Sequence, residues 1–307
     1  MKKRLFSIIL CMILIFSFGC NKKVEKDKEK IKIVTSFYPM YIFTINLTDG
    51  IDGIEVQNLT QQIDGCIHNY QLLPNDMVTL NNATLLVTNG AGMEPFLDKV
   101  SKQIPNLPIV DASKGVKLLG SNHHHDSDEH SHGDKHEHEY NSHIWLSVPN
   151  AIAQVENIAT ALKTALPNDS EKIENNKQEY IKRLNALDSQ IKSELENYKG
   201  TPIITFHEAY DYFASEYGLL IIGSLETDHG EEPSAKQIAS FTKTINEFKI
   251  PALFVEPEYK GTSANILASE TGIKVYTLNP ITSGQNSLTA YEDIMKSNLS
   301  VIKEALE

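Results

Sequence analysis

The residues best suited to chemistry are the eleven histidines, eight of which lie within residues 121–146. Across 121–139 they alternate with aspartate and glutamate, and almost nothing there is apolar, so we expect a loop and not part of a core. Neutral imidazole is a common zinc ligand, and carboxylates add oxygen ligands. A merely solvated polar loop is the alternative to metal capture. The candidate auxiliary ligands are His123, His124, His125, His130, His132, His136 and His138.

Three histidines stand apart from the mixed tract and are candidates for a defined site: His68, His143 and His207. Any one of them alone could be a satisfied structural histidine. They are separated by 75 and 64 residues, so spacing alone does not show that they meet. Each lies in a loop or just past the end of a predicted strand, where open α/β sheets bind their ligands.

Strand and helix patterns alternate along the chain, which indicates βαβ units and parallel sheets. We therefore predict an α/β fold of two lobes, each a parallel sheet flanked by helices. The first lobe spans 31–168, including the histidine-rich loop 121–139, and the second spans 200–307. Within them, helices are predicted over 93–104 and 208–217.

Residues 169–199 connect the two lobes and form a long polar run with apolar residues at helical spacing. A helix of this length is too long for one small lobe, so we interpret it as a rigid brace between the two. Its predicted apolar positions are Ile173, Tyr180, Leu184, Leu187, Ile191 and Leu195.

The N-terminus has the pattern of an export signal. A basic start at 1–4 precedes the apolar run 5–18, which is too short to span a bilayer comfortably. We predict a lipoprotein signal peptide over 1–19, lipidation of Cys20 and a charged tether over 20–30. A plain secretory signal is the alternative. The net charge of -12 argues against nucleic-acid binding.

An ordered set of motifs resembles one known family, the zinc and manganese solute-binding lipoproteins of bacterial ABC importers, over essentially the whole mature chain. The motifs surround the three isolated histidines and the ends of several predicted strands. They are Val34-Thr35-Ser36-Phe37-Tyr38-Pro39, His68 with Pro74-Asn75-Asp76, Thr88-Asn89-Gly90-Ala91-Gly92-Met93-Glu94, His143-Ile144-Trp145-Leu146-Ser147, Thr205-Phe206-His207-Glu208-Ala209-Tyr210, Glu232-Pro233-Ser234 and Phe254-Val255-Glu256-Pro257.

The resemblance implies a metal site in a cleft between the lobes, with His68 and His143 from the first lobe and His207 from the second. Relatives usually supply a fourth ligand as aspartate in a Leu-Asp-Pro element, where this chain has Asn279. The fourth position could be Asn279, a water, or a residue of the loop. Three imidazoles suit Zn2+ better than Mn2+, and manganese-selective relatives typically carry glutamate in place of His207.

The expected function is capture of Zn2+ outside the cytoplasm and its delivery to an ABC permease in the membrane. The protein would be a monomer held to the bacterial cell membrane by the lipid on Cys20. Alternatives are a manganese importer component, a metal-dependent hydrolase or a surface adhesin. The sequence has no His-Glu-x-x-His motif or nucleophile elbow, so an enzyme is not expected.

Overall fold

Four parallel strands form the first sheet: β1 (Ile31–Thr35), β2 (Ile54–Asn58), β3 (Leu85–Thr88) and β4 (Ile109–Asp111), in the order β2-β1-β3-β4. The central strand β3 is buried along its whole length, as expected for a parallel sheet covered on both faces. The coordinates are a computed structural model that describes residues 30–61, 65, 67–120, 140–225, 232–259 and 261–307. The predicted signal peptide, Cys20, nearly all of the tether, and the histidine-rich tract 121–139 with its seven auxiliary ligands lie outside these residues.

The helices of the first half lie between and after these strands. They are α1 (Tyr38–Thr48), α2 (Pro74–Asn81), α3 (Leu97–Gln103) and α4 (Val148–Ala165). Proline in the first turn favours the starts of α1, α2 and α4, since its fixed φ suits that position. Helix α1 is buried on nearly all sides, which makes it part of the core.

The long connecting helix is α5 (Ser170–Leu195), which runs for 26 residues, or about 39 Å. A single 3-10 turn, Glu196–Tyr198, follows it. All six apolar positions predicted for this helix are buried. Helix α5 packs against α4 and α1 of the first half and against α6 and α9 of the second.

The second half repeats the arrangement of the first. Strands β5 (Pro202–Thr205), β6 (Leu220–Ser224), β7 (Ala252–Val255) and β8 (Lys274–Thr277) form a parallel sheet in the order β6-β5-β7-β8. Two parallel four-stranded sheets flanked by helices and joined by one long helix confirm the predicted fold class. The accompanying helices are α6 (Asp211–Tyr217), α7 (Ala235–Phe248), α8 (Ser263–Thr271) and α9 (Ala290–Leu306).

Residues 31–307 make up one compact unit. None of the helices in the part of the chain that the structure describes is both long enough and apolar enough to cross a membrane.

Candidate metal centre

The three isolated histidines converge on one point. The Nε2 atom of His143 lies 3.1 Å from Nε2 of His207 and 3.4 Å from Nε2 of His68. One ligand atom from each of the three lies within 4.8 Å of the others. A tetrahedral zinc ion with Zn–N bonds of 2.0–2.1 Å holds its nitrogens about 3.3 Å apart. The spacing of the three rings therefore suits a single ion of that size.

His143 is the buried member of the set and is held by the elements around it. Its side chain is 3% exposed. It directly precedes the 3-10 turn Ile144–Leu146, and Ser147 then caps α4 by accepting from the amide of Asn150. On the other side, Asn89 donates from Nδ2 to the carbonyl of Ser142 at 2.9 Å. The backbone that carries His143 is thus fixed from both directions.

His68 and His207 are half-buried and complete the set from two other loops. His207 follows the carboxyl end of β5, where ligands of open α/β sheets usually sit. His68 lies in a turn before α2. That turn is held by Asp76, whose carboxylate accepts from the hydroxyl of Tyr70 at 2.6 Å and from the amide of Leu73 at 2.7 Å.

Burial and neighbouring charge keep His143 in its ligating form. Burial is the largest cause, followed by the proximity of His207 and of His68, and together they lower the pKa of His143 well below its usual value. Metal binding requires neutral imidazole, so the ring is ready to bind without first losing a proton.

Two aromatic rings, one behind the other, back the imidazole of His143. The Trp145 ring lies 5.2 Å from that of His143 and 4.9 Å from that of Phe37, edge-on to the latter. Trp145 is fully buried, and its Nε1 donates to the carbonyl of Pro280 at 2.8 Å. This contact ties the wall of the site to the loop after β8.

Asn279 lies in that loop, and its side chain has a local partner. Its Oδ1 accepts from the amide of Ile281 at 2.7 Å, and its backbone amide donates to Oδ1 of Asn298. The carboxamide therefore shapes the turn that presents Pro280 to Trp145. Among the described residues, the three histidines are the only group of three or more His, Cys, Asp or Glu side chains close enough together to share an ion. A ligand role for Asn279 stays a prediction.

One contact to the site was missed at the sequence level. Asn141 lies two residues before His143, and its Oδ1 is 2.9 Å from both the backbone amide and Nδ1 of that histidine. The Asn-x-His spacing permits such a contact, but many asparagines near histidines make none. The carbonyl oxygen can only accept, so Nδ1 carries the hydrogen and Nε2 presents its lone pair to the centre of the cluster.

Two similar sheets joined by one long helix are the fold of two-lobed solute-binding proteins, among which solved structures similar to this one are found. A profile of the family described as zinc-uptake complex component A, periplasmic, matches residues 33–305. The chain therefore belongs to the ZnuA family.

Individual relatives agree with this assignment. The zinc-binding lipoprotein AdcA of Streptococcus pneumoniae is 28% identical over 99% of this chain and 61% of its own length, so this chain spans about three fifths of AdcA. The high-affinity zinc uptake system protein ZnuA of Bacillus subtilis is 30% identical over 98% of this chain and 97% of its own length. The structure of the solute-binding protein FpvC of Pseudomonas aeruginosa with Ni2+ is 27% identical, with a TM-score of 0.77 over 90% of this chain and 97% of that one.

Proposed function

We propose that this protein is the solute-binding component of an ABC importer, that it captures Zn2+ and delivers it to the membrane permease, and that it is not an enzyme. The observation that carries the proposal is the convergence of His68, His143 and His207 at Nε2 spacings suited to zinc. The zinc-related names of AdcA and ZnuA support the same cargo.

The donor set favours zinc over manganese, because three neutral imidazoles suit a tetrahedral ion and Mn2+ prefers oxygen ligands. Nickel and copper bind such ligands as well as zinc does, and the FpvC relative was crystallised with Ni2+. Supply as well as affinity then decides which metal is carried.

We further propose a lipid anchor, the bounds of the two lobes, a fourth metal position and a set of auxiliary ligands. Cys20 carries the lipid that anchors a monomer outside the cytoplasm, after removal of 1–19 and beyond the tether 20–30. The first lobe is 31–168, the linking helix is 169–199 and the second lobe is 200–307. The fourth metal position is filled by Asn279, by water or by a residue of the loop. The seven histidines of the 121–139 tract act as auxiliary capture ligands.

Competitive titration of the mature chain against a chromophoric chelator tests the proposal. His207→Ala should weaken zinc binding on the order of 100-fold or more, because it removes one of three ligands. The matched control is His229→Ala, which removes the only other histidine of the second lobe and should leave the tightest zinc site unchanged. Preference for Mn2+ over Zn2+, or an unaltered His207→Ala protein, would contradict the proposal.

Deleting 121–139 addresses the auxiliary ligands separately. We expect the number of zinc ions bound at saturation to fall while the affinity of the tightest site is kept. A deletion that abolishes the tightest site would instead place essential ligands in the tract.

A further inference from the structure

Asn141 contacts both halves of the chain through one buried side chain. The residue is 5% exposed. Its Oδ1 faces the backbone amide and Nδ1 of His143, both at 2.9 Å. Its Nδ2 donates to the carbonyl of Glu208 at 2.7 Å and to Oδ2 of Asp211 at 3.2 Å. Glu208 directly follows His207, so one carboxamide joins the surroundings of two of the three histidines.

Only a carboxamide can make this set of contacts. It offers an acceptor oxygen on one side and two donor hydrogens on the other. A carboxylate at the same position could still accept from Nδ1 of His143, but it would have nothing to donate to Glu208 or Asp211. An apolar side chain could do neither.

The backbone of Asn141 is fixed as well, and by the same part of the second half. Its carbonyl accepts from the hydroxyl of Tyr212 at 2.8 Å, and its amide donates to the carbonyl of Leu119 at 2.9 Å. The Tyr212 oxygen in turn accepts from the amide of Leu119 at 2.9 Å. Tyr212 of helix α6 therefore binds the chain on both sides of the 121–139 tract, at Leu119 before it and at Asn141 after it, two residues before His143.

We infer that Asn141 is a positioning residue with two roles. Through Oδ1 it holds His143 in the tautomer whose Nε2 carries no hydrogen and can therefore bind a metal. Through Nδ2 it fixes the separation between His143 and the loop that carries His207. The effect of these roles on zinc binding rests on the proposed function, whereas the tautomer itself does not.

The first test is nitrogen NMR of the metal-free protein with labelled histidine, with the His143 signal identified by its absence in His143→Gln. The wild-type ring should carry its hydrogen on Nδ1. Asn141→Ala should shift it toward Nε2 and weaken zinc binding by about 10- to 100-fold, as outer partners of metal ligands typically do. An unchanged tautomer in Asn141→Ala would overturn the inference.

Asn141→Asp separates the two roles. The carboxylate keeps an acceptor for Nδ1, so we expect the wild-type tautomer. It loses both donors toward the second half, so zinc affinity should fall between those of the wild type and Asn141→Ala. A wild-type tautomer with an affinity as low as that of Asn141→Ala would show that the tautomer has no part in binding.

Asn176→Ala is the matched control for a loss that is only structural. Asn176 also bridges two elements, donating from Nδ2 on α5 to the carbonyls of Leu47 and Asp49 at the end of α1. This variant should lose stability without changing the tautomer of His143 or the zinc affinity. An equal loss of affinity there would overturn the inference. Failure of the wild type to bind zinc would refute the proposed function, and the metal-free NMR would still decide the role of Asn141.

Discussion

The two halves of this protein meet in two regions of opposite chemistry. In the histidine cleft, formed by Asn141 and the three converging histidines, polar atoms face one another at 2.7 to 3.4 Å. In the aromatic seam, formed by Phe43, Tyr180 and Tyr291, rings from α1, α5 and α9 pack with centroids 5.3 and 6.2 Å apart. The first region gathers lone pairs that a cation can use, and the second buries apolar surface. The difference indicates that binding and cohesion are carried by separate parts of the same interface.

Trp145 contacts both regions. Its ring lies beside His143, and its backbone carbonyl accepts from the hydroxyl of Tyr291 at 2.7 Å. If binding and cohesion are not carried by separate parts of the interface, a substitution at Trp145 should show it first, by changing zinc affinity and stability together.

The largest expected effect is that of Trp145→Ala. Loss of a fully buried indole should lower the free energy of unfolding by about 3–5 kcal/mol, and the unsupported His143 ring should also weaken zinc binding. Denaturant unfolding of the metal-free protein and a zinc titration measure the two losses. Trp145→Phe keeps an aromatic ring and should lose less of both. Full stability with weakened binding would mean that the tryptophan serves the cleft alone.

Each region has a buried carboxylate beside it, and the two carboxylates have different partners. Glu94 belongs to the network beside the cleft and accepts from the hydroxyl of Ser36 at 2.7 Å and from the amides of Asn89 and Gly90. Glu292, at the start of α9, is instead paired with the guanidinium of Arg183 at 2.8 Å. Burial raises the pKa of Glu94 to about 7 in spite of its three donors, and burial also raises the pKa of Glu292.

The raised pKa of Glu94 therefore predicts how the free energy of unfolding depends on pH. As the pH falls, Glu94 takes up a proton near pH 7 in the folded state but only near pH 4.5 in the unfolded chain. The stabilisation of the folded state that comes from this difference in pKa is present below the pKa of the unfolded chain and is lost as the pH rises through 7. Between about pH 5 and pH 8 the wild type should lose on the order of 3 kcal/mol more stability than Glu94→Gln.

Unfolding curves of the metal-free proteins across that range provide the measurement. The control is Glu174→Gln, because Lys163 and Lys177 lower the pKa of Glu174 to about 2, outside the range. Equal slopes for the wild type and Glu94→Gln would show that the buried carboxyl does not titrate there.

Periodicity was sufficient to predict the architecture. The alternation of strands and helices predicted both parallel sheets, and helical spacing identified the buried face of α5. Two predicted helix starts were wrong, the first for a local reason and the second because of a long-range contact. Helix α3 begins at Leu97 and not at 93, because Gly90, Ala91 and Gly92 have positive φ and Glu94 accepts from the amides of Asn89 and Gly90 in that turn.

Helix α6 begins at Asp211 and not at 208, and this difference is linked to the cleft. The carbonyl of Glu208 accepts from Asn141 in the other half of the chain. No local pattern encodes that partner. For the same reason the three histidines could be nominated from their motifs, while their meeting point and the part played by Asn141 required the folded chain.

The smallest expected effect is that of Arg183→Met, a substitution next to the aromatic seam. Arg183 on α5 pairs with Glu292, donates to the carbonyl of Leu288 at 3.1 Å and also donates to Oδ1 of Asn46 on α1. Arg183→Met keeps an unbranched side chain but leaves the Glu292 carboxyl, which is 6% exposed, without the guanidinium. We expect a loss of about 2 kcal/mol in the free energy of unfolding, the size of the hydrogen bonds that the charged guanidinium donates to Leu288 and Asn46.

Zinc affinity should stay within about twofold in Arg183→Met, because the seam holds the halves together without shaping the ligands. Lys192→Met is the control on the same helix. It breaks pairs of a 46% exposed lysine with Asp188 and Glu216 and should cost no more than about 1 kcal/mol. Denaturant unfolding and zinc titration of both variants decide the matter. If Arg183→Met weakened zinc binding in proportion to its loss of stability, the cleft and the seam would be one cooperative unit, and cohesion could not be changed without changing the site.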